Sequence, residues 1–83
     1  MPIISMFAGM KIYMRWDDHN PPHVHVSDSK GEAVIDIRTG DIVRGKLLLK
    51  QHRVLRRWIE LHQEELLYMW EKQEIQRVPP LEY

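Results

Sequence analysis

The sequence predicts an α+β fold, a small antiparallel sheet of three to five strands packed on one long C-terminal helix. Three observations lead there. Apolar residues alternate through roughly residues 3–44, they recur at steps of three and four over about 49–75, and Gly, Pro, Asn and Asp punctuate the runs between. Residues 1–83 thus read as a single domain, with a sheet over about 3–44, a helix over about 49–75 and a short C-terminal tail.

The elements follow in chain order. Ile3 to Phe7 is strand-like, Ala8-Gly9 is a turn, and Met10 to Trp16 alternates, with Ile12, Met14 and Trp16 on a buried face and Lys11, Tyr13 and Arg15 on a wet one. Asp17 to Pro22 cannot continue a ladder, because Pro21 and Pro22 supply no amide donors and bias Asn20 toward extended geometry. His23 to Asp28 alternates again; with Val24 and Val26 inward, His23 and His25 share the outward face. After a Ser29-Lys30-Gly31 turn, Glu32 to Arg38 places Ala33, Ile35 and Ile37 inward, and Thr39-Gly40-Asp41 turns the chain into a short edge strand at Ile42-Val43. In the helical half, Leu55, Trp58, Ile59, His62, Leu66, Met69 and Trp70 draw one apolar stripe. Val78-Pro79-Pro80 ends that pattern, and the last residues are expected to fray or to face a partner.

Composition excludes several classes. With 43% hydrophobic and 29% charged residues, the chain is too apolar for disorder and too interrupted by charge for a membrane span. The apolar start, Met1 to Met10, lacks a basic flank, so no signal peptide and a cytoplasmic location are expected. Without cysteine there is neither a disulfide framework nor a thiolate metal site. The formal net charge is zero, but residues 1–57 hold ten Lys/Arg against six Asp/Glu, while residues 58–83 hold two against six.

The segment DHNPPHVHV, residues 18–26, concentrates the candidate chemistry. Imidazoles two apart on a strand can reach a single divalent transition metal, with His19 closing from the loop and Asp17, Asp18 or Asp36 as ligand or orienting acceptor. The spacing matches no standard zinc signature. Alternatively His19, His23 and His25 supply a metal-free general acid and base, with Lys11, Tyr13 and Arg15 beside them as a binding surface, the equipment of a ribonuclease. A third reading is structural, with the imidazoles locking the loop backbone.

Lys46, Lys50, His52, Arg53, Arg56 and Arg57 crowd the start of the helix, against the direction of its dipole. Lys50, Arg53, Arg56 and Arg57 are therefore candidates for binding RNA or an acidic partner. Intramolecular pairing, Arg56 with Glu60 or with loop aspartates, is the competing account. His62 within the stripe reads as a hydrogen-bonded core histidine, and Trp58, Met69 and Trp70 as core. Open sheet edges also invite pairing into a homodimer.

These residues carry a resemblance. Phe7 with Ala8-Gly9, Ile12-Tyr13, DHNPPHVHV, Ala33-Val34-Ile35-Asp36-Ile37, Gly45-Lys46-Leu47, and Trp58 through Glu60-Leu61-His62 to Glu64-Glu65-Leu66 and Trp70 together look like the bacterial domain of unknown function 4160 family. The family brings no established activity. Its members often lie beside a small protein of the domain of unknown function 2442 family, so the resemblance implies a cognate partner and a toxin–antitoxin-like module. One departure is that the family commonly has prolines after the Gly-Lys-Leu segment, where this chain has Leu48 and Leu49, which leaves the helix start open by a turn.

Overall fold

A computed structural model describes residues 3–15 and 19–81. Five strands, β1 (Ile3–Phe7), β2 (Met10–Tyr13), β3 (His23–Asp28), β4 (Gly31–Asp36) and β5 (Ile42–Gly45), form one antiparallel meander in that order. Helices α1 (Leu49–Leu61) and α2 (Gln63–Lys72) follow.

Local chemistry fixes each hairpin. Ala8 and Gly9 both take positive φ, 52° and 76°, the handedness of a two-residue hairpin turn that matches strand twist. The Asp28 carboxylate accepts from the amides of Lys30 and Gly31 at 2.8 and 3.0 Å and closes the β3–β4 turn. Asp36 does the same after β4, accepting from the amides of Arg38 and Thr39 at 2.7 and 3.2 Å. Gly45 ends β5 at φ 81°, where a Cβ would overlap the Glu32 carbonyl oxygen, so only glycine lets β5 lie this close to β4.

The alternation places Ile12, Val24, Val26, Ala33 and Ile35 on one face, and that face meets Leu55, Trp58, Ile59, Leu66 and Met69 from the helices in a single apolar cluster. Each of the valine, isoleucine, leucine and methionine side chains, fully withdrawn from water, contributes about 1.5–3 kcal/mol. Both helices therefore cover the same side of the sheet. The opposite side carries the odd-numbered residues of β2 and β3.

Three sequence expectations need correction. The single long helix is two, broken at His62, whose φ and ψ are −113° and 19°. Gln63 donates from its side-chain amide to the carbonyls of Ile37 and Arg38 at 2.9 and 3.0 Å, which pins the junction to the end of β4. A straight rod crosses a twisted sheet only along a diagonal, and the break keeps both apolar faces on the core. The described part of the tail, to residue 81, is docked rather than frayed: Val78 is buried, its amide donates to the Ile4 carbonyl at 2.8 Å, and the Trp58 indole donates to the Pro79 carbonyl at 2.8 Å, while Glu82 and Tyr83 lie outside the described residues. Tyr13, expected on a wet face, is 5% exposed. The helix does begin at Leu49, without a side-chain cap at Leu48. Trp16, Asp17 and Asp18 lie outside the described residues.

Candidate functional site on the outer face of the sheet

Because Val24 and Val26 point into the core, His23 and His25 must both point out. Strand register then builds a row across the outer face: Tyr13 on β2 faces His25 on β3, His25 faces Val34 on β4, and Val34 faces Arg44 on β5. The rings of Tyr13 and His25 stack at 5.3 Å and 15°, and His23 meets His25 edge-on at 5.1 Å and 73°. Trp70 of α2 reaches round to His23, with ring centres 4.8 Å apart. Four rings thus run without a break from β2 to α2.

Hydrogen bonds hold this row in place. His23 Nδ1 donates to the Pro21 carbonyl at 2.8 Å. A carbonyl only accepts, so the neutral ring keeps its lone pair on Nε2. The Trp70 indole donates to Asn20 Oδ1 at 3.1 Å, which ties the proline loop to α2; the Asn20–Pro21 peptide is cis. The Tyr13 hydroxyl donates to Glu32 Oε1 at 2.7 Å. Burial, reinforced by the carboxylate of Glu32, pushes the phenol pKa above its ordinary value of 10.0, partly offset by Arg15.

Beside the rings lies a hollow of ≈ 350 Å³, whose described walls bring His19, His23 and His25 together with Arg15 and Arg44 over Val34 and Val43. The three histidines named from the sequence therefore share one concavity. Among the described residues no group of three or more His, Asp or Glu side chains is placed to hold a metal ion. Asp36 faces His23 in register, but its Oδ1 closes the turn that follows β4. Two permanently charged guanidinium groups in the wall favour an anion over a divalent cation.

The other candidates fall elsewhere. Lys11 is exposed in the row of Ser27 and Glu32, next to Tyr13. Lys50, Arg53 and Arg57 are exposed on α1, outside the hollow. Arg56 pairs with Asp41 at 3.2 Å, and His52 Nε2 donates to the Gly40 carbonyl at 2.8 Å, so these two fasten α1 to the β4–β5 turn. His62 Nδ1 donates to Glu65 at 2.8 Å and its ring packs on Trp58.

Sequence reasoning missed Arg44 and Glu32 as neighbours of the rings. Arg44 was not legible, because strict register from the Ile35–Ile42 pair would set it opposite Ala33, and only the bulge at Val43 brings it opposite Val34. Trp70 is core, as read, yet its edge also serves the site.

The fold and this hollow define a small α+β protein with helices on one side of a meander and a ring-lined, arginine-flanked concavity on the other. The chain belongs to the family described as domain of unknown function (DUF4160), whose profile matches residues 9–71. No curated protein and no solved structure matches it. Among the described residues no helix is long and apolar enough to cross a membrane.

Proposed function

We propose that this chain is a cytoplasmic component of a toxin–antitoxin-like module that binds single-stranded RNA on the outer face of its sheet. The observation that carries the reading is the hollow on the outer face of the sheet, where His19 and His23 stand beside Arg15 and Arg44. The exposed ring of His19 and the half-buried ring of His23 offer stacking surfaces to unpaired bases, and the arginines offer paired donors to the phosphates between them. A cognate protein of the domain of unknown function 2442 family would then dock elsewhere, which leaves Lys50, Arg53 and Arg57 for that contact.

A second reading has its own support. The bond from Nδ1 to the Pro21 carbonyl fixes the His23 ring beside His19 and His25, three imidazoles that can exchange protons with a bound substrate. In that reading His23 takes the proton of a ribose 2′-hydroxyl, the freed oxygen attacks the adjacent phosphorus, and His19 or His25 returns a proton to the departing 5′-oxygen. The product is a 2′,3′-cyclic phosphate.

Fluorescence anisotropy with a labelled oligoribonucleotide of about ten residues tests the binding reading. Arg15→Ala and Arg44→Ala are each expected to weaken binding about tenfold and to reduce the salt slope by about one. Arg53→Ala and Arg57→Ala should leave it within about twofold. Equal losses from both pairs, or none from the first, would sink the reading. Mass spectrometry of the incubated RNA separates the second reading, which requires a cyclic phosphate product that disappears in His23→Ala.

A further inference from the structure

The two edges of the sheet are finished differently. Along β1 runs the segment after α2, with the Val78 amide on the Ile4 carbonyl at 2.8 Å and the Arg77 guanidinium on the Ile3 carbonyl at 3.3 Å. Strand β5 ends the strand order on the other side, and among the described residues nothing pairs with its outer edge. Val43, the residue left over where the β4–β5 register shifts, is 60% exposed. Just beyond the strand, Leu48 and Leu49 are 56% and 72% exposed.

Charge along this edge has one sign. Between Asp41 and Glu60 the chain carries six cations, Arg44, Lys46, Lys50, Arg53, Arg56 and Arg57, and no acidic residue. Arg56 is paired with Asp41; among the described residues the other five have no ion-pair partner.

We propose that the outer edge of β5 receives an extended acidic segment of a partner polypeptide, which adds to the sheet as a further antiparallel or parallel strand. Main-chain donors and acceptors on β5 supply the affinity, apolar side chains of the incoming segment cover Val43, and its carboxylates face Arg44 and Lys46. A second copy of this chain is the wrong occupant. Pairing β5 with itself would set Arg44 and Lys46 of one copy against those of the other, and like charges across strands destabilise. The register shift and the cations guard the edge against copies of itself, whereas an acidic strand turns the same charges into attraction. The inference shares Arg44 and Val43 with the wall of the hollow, but it rests on the main-chain edge of β5 and on Lys46, which the RNA reading does not use.

The test uses the full chain and a fluorescein-labelled peptide of about six residues alternating glutamate with valine, the length of an ordinary strand. A lysine–valine peptide serves as the opposite charge, and two further glutamate–valine peptides carry N-methyl groups on odd or on even amides. Alternate amides of a strand point to opposite edges, so only one of the methylated peptides should lose binding, by about tenfold, while the other keeps it within about threefold. The lysine–valine peptide should bind at least about tenfold more weakly, and Lys46→Glu should weaken the glutamate–valine peptide about fivefold. Failure of the acidic peptide to bind, equal binding of both charge types, equal behaviour of both methylated peptides, or a dimer by sedimentation that excludes the peptide each overturns the proposal. Anisotropy of the RNA probe with Lys46→Glu, expected unchanged, keeps the two surfaces distinguishable.

Discussion

Tyr13 stands where alternation sets a solvent-facing residue, yet only 5% of it is exposed. Alternation assigns a side of the sheet and says nothing about what lies over it; His25, one strand away, stacks on the phenol and is itself 8% exposed. For the same reason the shared face of His23 and His25 was legible while the contact of His23 with Trp70 was not, since that contact joins residues far apart in sequence. The raised phenol pKa carries a stability consequence. Below 10.0 both folded and unfolded phenols keep their proton; as pH rises past that value the unfolded chain loses it first, so stability falls until the folded phenol ionises too. Urea midpoints from neutral pH to about 11 should therefore drop more steeply for the wild type than for Tyr13→Phe, which has no proton to lose. Parallel slopes would show that the hydroxyl is not held as described.

At the scale of elements, β3 was legible to the residue, because two prolines before it and Asp28 after it bound a strict alternation. The helical stripe was legible too, but not its break. His62 fits the apolar spacing, and neither proline nor glycine marks the position. What does mark it is charge: Glu64 and Glu65 open α2 and Lys72 closes it, each favourable to a dipole that starts anew at residue 63, with His62 and Glu65 bonded across the junction. The tail was misread because consecutive prolines announce the end of a helix without saying where the chain goes next. Its docking depends on the Trp58 indole, which donates to the Pro79 carbonyl. Deleting residues 76–83 should cost about 2–4 kcal/mol in urea unfolding, from a lost apolar contact and an indole left without its acceptor. A tail that merely faces a partner would leave stability unchanged on deletion.

For the whole molecule, both helices, the inner face of the sheet and Val78 share one apolar cluster. That sharing predicts a single cooperative transition: tryptophan fluorescence, which reports on Trp58 and Trp70 in the core, and far-ultraviolet circular dichroism should give coincident urea curves. Separate midpoints would divide the chain into parts that the sequence reads as one domain. The charge asymmetry between the two halves of the chain was legible from residue counts, and its placement was not: Arg44 lies on β5, Lys50, Arg53, Arg56 and Arg57 on α1, and Glu64, Glu65 and Glu71 on α2. Closure of the β1 side by Arg77 and Val78 bears on how the molecule assembles with others. Among the described residues the tail already occupies part of the β1 side, so a chain that lines up along β5 meets the one sheet edge on which no other segment of the molecule bonds.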